Sequence, residues 1–166
     1  IMTMMMPAQV MVVPQYIILK KLHLNDTLLA MILPWAFGGA FFVFLIVQYM
    51  RGIPKELDEA AMIDGCSKIG ILFKILVPVV QPAIVSAAIF AFYWIWQDFF
   101  LPLIFVGSPK NYTIPLALNM YTDPNSCNNY GGLFAMSVIS LLPVILVFIK
   151  FQKYLVEGIA TDGIKG

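Results

Sequence analysis

Four stretches of this chain are long and apolar enough to cross a lipid bilayer, and that feature limits the fold more than any other. A spanning helix needs about 20 mostly apolar residues. The stretches are Ile1 to Leu19, interrupted by Pro7, Gln9 and Pro14; Leu28 to Met50, which carries no charge; Val79 to Phe105, with Pro82, Gln97, Asp98 and Pro102; and Leu133 to Ile149, with Pro143 inside. The last reaches only roughly 26 Å at 1.5 Å per residue, so Lys150 and Lys153 are placed to snorkel. Hydrophobic residues make up 61% of the 166 and charged residues 11%. A soluble domain carries about 25% charged residues. A core of this size cannot hide so much apolar surface, whereas lipid can face it. The expected fold is an all-α membrane protein of about four transmembrane helices.

Charge sets the expected orientation. Arg51, Lys55, Lys68 and Lys74 lie between the second and third stretches, and Lys150, Lys153 and Lys165 follow the fourth. Only Lys20, Lys21 and Lys110 fall on the other side. The positive-inside rule makes the seven-cation side cytoplasmic. Cys66 and Cys127 then lie on opposite sides and do not pair. Neither has metal-ligand spacing, and the one histidine, His23, sits in a short polar loop. No metal site is expected. A net charge of +1 offers no field for nucleic acid. Asn25-Asp26-Thr27 and Asn111-Tyr112-Thr113 match the glycosylation triplet, a pattern too common to weigh. Prolines within the stretches suit kinked helices along a water-filled path, but membrane helices are also rich in proline generally. Both readings stand.

The segment 51–78 is too long for a simple connection. Pro54 suits a first helical turn, and Glu56, Asp58 and Glu59 favour the positive end of the helix dipole. Leu57, Ala60, Ala61 and Asp64 recur at i, i+3, i+4 and i+7. Gly65 is expected to end this helix in a left-handed conformation, and Ser67 to cap a second one that bends or breaks at Pro78. Two short helices joined by a tight turn result. On periodicity alone, a pair lying on lipid headgroups fits as well as a pair that meets another protein.

Glu59-Ala60-Ala61, then Gly65, then Ile75-Leu76-Val77-Pro78 resembles the EAA signature of ABC importer permeases. Val77 stands where the signature has leucine. Ile53 to Gly65, Trp96-Gln97-Asp98-Phe99-Phe100-Leu101-Pro102-Leu103, Tyr112-Thr113-Ile114-Pro115-Leu116 and the tail from Val156 to Gly166 are similar to the carbohydrate-uptake branch, the maltose and multiple-sugar permeases; Gln97 replaces an asparagine. The resemblance covers about residues 22–166.

It implies a permease subunit of an ATP-driven importer in a bacterial inner membrane, moving sugars, polyols or sugar phosphates inward. It also implies that residues 1–166 are the C-terminal part of a six-helix domain, truncated at the N-terminus, with 51–78 as its cytoplasmic coupling loop. Implied partners are cytoplasmic ATPase subunits, a second, non-identical permease and an extracytoplasmic solute-binding protein. ATP and Mg²⁺ would belong to the ATPase; this chain has no Gly-x-x-x-x-Gly-Lys-Ser/Thr loop and no catalytic residue is expected. The resemblance implies that Glu59, Ala60, Ala61, Asp64, Gly65 and Pro78 contact or shape the ATPase junction. Tyr93, Trp96, Asp98 and Phe99 are candidates for the substrate path: aromatic faces suit sugar rings, and an acid at membrane depth defaults to a functional hypothesis. An aromatic belt and a structural hydrogen bond are the competing readings. The alternative function is an ion-gradient-driven transporter or channel, with Asp98 as its ion site.

Overall fold

A computed structural model describes residues 2–122 and 129–160. After a 3-10 turn at Met2–Met5 come α1 (Ala8–Lys21), α2 (Leu28–Ala36), α3 (Ala40–Arg51), α4 (Glu56–Ile63) and α5 (Lys68–Ile71). A π-helical stretch, Leu72–Leu76, joins α5 to α6 (Val77–Val79). Then follow α7 (Gln81–Trp96), α8 (Phe100–Phe105), a 3-10 turn at Pro109–Asn111, α9 (Ile114–Met120) and α10 (Tyr130–Ala160). No strand occurs among the described residues.

The apolar stretches fold into helices, with boundaries that differ from the sequence expectation. Leu28–Arg51 and Tyr130–Tyr154 are long and apolar enough to cross a membrane. Lys68–Val79 and Gln81–Trp96 pass the same test together but are bent by 68°. The described residues therefore hold two such helices, or three if the bent pair counts as one. α1 has 14 residues, about 21 Å: Pro7, with an extended ψ of 139°, stands before its first turn, and the chain leaves the helix at Leu22. The third stretch is divided again after Trp96, where α7 stops and α8 restarts at Phe100. The fourth exceeds expectation: α10 runs for 31 residues, straight through Pro143, Lys150 and Lys153.

The chain divides into two compact units, Ile1–Gly39 with Phe92–Leu146, and Ala40–Ala91 with Val147–Gly166. The first has a small core of Val12, Leu19, Ala30, Phe105 and Val106, which brings α1, α2 and α8 together. In the second, small side chains at Ala83, Ser86 and Ala87 are buried along α7, and Ser86 Oγ donates to the Tyr154 carbonyl at 3.2 Å. Small residues that let backbones approach, and hydroxyls that bond across helices, are how membrane helices pack when lipid removes the hydrophobic drive. Consistent with that environment, none of the apolar window in Tyr130–Tyr154 is buried, and Leu146, Phe148 and Ile149 lie exposed.

Candidate functional site

The loop between α3 and α7 forms the expected helix–turn–helix. Glu56, Asp58 and Glu59 occupy the first turn of α4, against its unpaired N–H groups. Gly65 ends α4 with φ +78°. Its N–H donates to the Met62 carbonyl at 3.1 Å, and that of Cys66 to the Ala61 carbonyl at 3.0 Å. These are the two bonds of a Schellman closure, which satisfies carbonyls the helix end leaves open. Ser67 then accepts the Gly70 N–H at 3.2 Å and caps α5.

The turn folds α5 back on α4, and this decides which side chains face out. Ala61 is buried, together with Ile71 of α5. Of the expected Leu57–Ala60–Ala61–Asp64 stripe, only Ala61 faces inward; Ala60 and Asp64 are exposed. The outward face carries Glu56, Glu59, Ala60 and Ile63 at i, i+3, i+4 and i+7, and Ile63 is 86% exposed. Pro78 sits in α6, and the 68° bend falls just after it. The π-helical stretch before it was not foreseen.

Trp96, Tyr93, Asp98 and Phe99 are dispersed in role. The Trp96 ring stacks on Phe92 with centroids 5.5 Å apart and planes at 28°. Its indole N–H donates to the Ser140 carbonyl of α10 at 3.1 Å, three residues before Pro143. A proline disturbs the preceding turn of its helix, and freed carbonyls need donors. Asp98 Oδ1 accepts the N–H groups of Phe100 and Leu101 at 3.0 and 3.2 Å, so it starts α8. Trp96 also lines a cavity of about 410 Å³ with Phe92, Ile95, Tyr112, Thr113 and Ile114. Tyr93, Asp98 and Phe99 are not among its lining residues. Phe92 was missed as a candidate, although its i, i+4 spacing to Trp96 is the signal that pairs them.

Asp26 is a second residue that sequence reading passed over. Its carboxylate accepts the N–H of Gly107 at 3.0 Å, the N–H of Ser108 at 2.8 Å and the Ser108 hydroxyl. Its own N–H donates to the Phe105 carbonyl at 2.9 Å, and Asn111 Nδ2 donates to its carbonyl at 2.6 Å. Asp26 takes φ +60°, a conformation that aspartate tolerates better than most residues. The Ser108 hydroxyl and N–H, with help from Gly107 and Asn111, pull its carboxyl down to about 2. The lysine and arginine count leads one to expect both of the loops joined here on the external side. The weightless glycosylation triplets, Asn25-Asp26-Thr27 and Asn111-Tyr112-Thr113, supply two of the knot's members. Among the described residues, no group of three or more metal-ligating side chains converges.

Residues 1–161 match the family model described as "Binding-protein-dependent transport system inner membrane component". The chain is 38% identical over 162 residues to the arabinooligosaccharides transport system permease protein AraQ of Halalkalibacterium halodurans, covering 98% of this chain and 57% of that one. It is 33% identical over 161 residues to the sulfoquinovosyl glycerol transport system permease protein SmoH of Agrobacterium fabrum, covering 96% and 56%. A crystal structure of a bacterial ABC transporter that imports the acidic polysaccharide alginate contains a chain with TM-score 0.69 and 25% identity, covering 86% of this chain and 55% of that one. The chain thus spans little more than half the length of these relatives. The match over nearly all of its residues establishes that the chain belongs to the binding-protein-dependent transport system inner membrane components.

Proposed function

We propose that this chain is part of the permease subunit of an ATP-driven ABC importer that carries sugars or closely related polyols inward across a bacterial inner membrane. The observation that carries the reading is α4: a short helix with an exposed Glu59–Ala60–Ile63 face, fixed at its end by the Gly65 closure and backed by α5. A rigid helix of this kind seats in a groove of a cytoplasmic ATPase and moves with it. Glu59 supplies a charge-assisted contact at the rim. Ala60, rather than the inward-facing Ala61, permits close approach, while Asp64, Gly65 and Pro78 shape the loop that holds α4. Loop 51–78 and the C-terminus are assigned to the cytoplasm. The partners are the ATPase pair, a second permease and an extracytoplasmic binding protein; ATP and Mg²⁺ reside in the ATPase.

The proposed substrate class is supported by relatives whose names or titles specify arabinooligosaccharides, sulfoquinovosyl glycerol and alginate. For the path, the cavity beside Trp96 is a better candidate than the Tyr93–Asp98–Phe99 group, because Asp98 spends its carboxylate on the start of α8.

The test is Ala60→Arg in the full-length subunit. A long cation in a space sized for a methyl group overpacks the junction, at a cost of roughly 1–3 kcal/mol before any charge burial. The expected result is normal membrane insertion, with reduced co-purification of the ATPase and loss of ATP-driven sugar uptake in vesicles. Unchanged ATPase binding and uptake, or uptake driven by an ion gradient without ATP, refutes the reading.

A further inference from the structure

The two halves of the loop differ in charge and in what they expose. α4 carries Glu56, Asp58 and Glu59 in its first turn. Its outward face has the wrong sign for an anionic lipid surface. The half that follows has no acidic residue from Cys66 to Gln97, and it exposes Lys68 and Lys74. Between those lysines, Ile69 is 72% exposed, Phe73 66% and Leu72 40%, while Ile71 on the opposite face is buried. Ile69 in α5 and Leu72 and Phe73 at the start of the π-helical stretch are all exposed, a run of outward apolar side chains.

The direction of the helix axis is set by the bend. Lys68–Val79 turns 68° away from Gln81–Trp96. Spanning helices tilt on average about 20° from the bilayer normal. With α7 tilted by up to about 20°, Lys68–Val79 lies roughly 2–42° from the membrane plane, at one end of the apolar α7. An apolar run flanked by lysines, near that plane, is the arrangement of an interfacial helix. Lysine stems run along the apolar boundary and place the ammonium groups among phosphates.

We propose that Lys68–Val79 is an anionic-lipid anchor, with Ile69, Leu72 and Phe73 in the headgroup–acyl boundary and Lys68 and Lys74 on lipid phosphates. The loop then has two neighbours: lipid fixes its second half, and α4 is left free of the surface to meet a protein. The inference rests on the membrane reading of α7 and is independent of whether α4 binds an ATPase.

The experiment uses the full-length subunit in its assembled transporter, with Cys66→Ser and Cys127→Ser, and an environment-sensitive fluorophore on Phe73→Cys. The vesicles are phosphatidylglycerol–phosphatidylethanolamine. A spin label near the headgroup is expected to quench the fluorophore about twofold more than one near the chain end, and aqueous iodide to quench it weakly. The same fluorophore on Ile63→Cys should respond to iodide instead when the ATPase is stripped away. Lys68→Glu with Lys74→Glu, or replacement of phosphatidylglycerol by phosphatidylcholine, should lower lipid quenching at position 73 by about half. Strong iodide quenching at position 73 overturns the proposal in favour of a solvated helix. Quenching by neither agent overturns it in favour of a protein cover. Lipid quenching indifferent to both charge changes overturns the lysine–phosphate contact. Loss of ATPase co-purification with lipid quenching retained counts against the coupling role of α4 alone.

Discussion

Replacing Gly65 separates backbone strain from steric crowding, because the two predict different rank orders. Gly65 has φ +78°, and a Cβ built there meets nothing within 4 Å. Alanine therefore pays no steric cost inside the subunit, only the cost of a left-handed backbone, about 1–2 kcal/mol for an L-residue. The stiffer unfolded chain gives no gain here, since alanine stabilises only where its native φ suits it. A penalty of one to two kcal/mol shifts a two-state equilibrium by about 5- to 30-fold. The state lost is the one closed by the bonds from Gly65 to Met62 and from Cys66 to Ala61, so α4 is no longer held at a fixed angle to α5. Asparagine enters the left-handed region more readily than alanine. The expected order of ATPase retention on purification, and of uptake in vesicles, is Gly65, then Gly65→Asn, then Gly65→Ala. Gly65→Leu has the same backbone cost as alanine, so any further loss measures crowding of the side chain beyond Cβ. If Gly65→Ala matches the parent while Gly65→Asn falls below it, the strain argument is wrong.

Asp26→Asn should loosen the Gly107–Asn111 loop, read as faster hydrogen exchange at the Gly107 and Ser108 amides. Because the folded carboxyl is held at about 2, below its ordinary 3.8, the contribution of Asp26 is full above that ordinary value and fades as pH falls from there through about 2; a slope displaced to neutral pH refutes the assignment. Trp96→Phe keeps the stack on Phe92 and removes the donor to Ser140, an expected loss of about 0.5–1.5 kcal/mol in detergent unfolding; no change would mean the indole bond is replaced by water. In intact cells, Cys66 should resist impermeant thiol reagents until the cytoplasmic side is opened, while Cys127, outside the described residues, should react at once; labelling of both from one side ends the assigned topology.

Features that depend on a few consecutive residues were legible in the sequence. The Gly65 closure and the Ser67 cap use groups at most five residues apart, so glycine and serine at those positions suffice to announce them. Apolar runs announced the helices but not their ends. Hydropathy reports where lipid can lie, and α10 continues through Lys150 and Lys153 because lysine is a good helix former. The break after Trp96 had a local signal: Asp98 is a residue type that accepts N–H groups at a helix start, and Pro102 falls in the first turn of the helix it begins. The sidedness of Ala60 and Ala61 was not legible. Adjacent helical residues point about 100° apart, and which one is covered depends on the direction of α5. The bond from Trp96 to Ser140 and the knot at Asp26 join residues 44 and more than 80 apart, where spacing carries no information.

During synthesis the knot at Asp26 is also a matter of timing. Its acceptor emerges with the first third of this chain, but its donors lie 81 to 85 residues later. At about 5–20 residues per second, Asp26 waits roughly 4–17 s for Gly107, Ser108 and Asn111. Throughout that interval the Asp26 carboxylate is met by water, and the turn after α1 lacks the bonds that hold it in the folded protein. The pairing of α1 with α2 is therefore provisional until α8 has been made, and a ribosome stalled before Ser108 would leave a nascent chain whose first turn is not yet fixed.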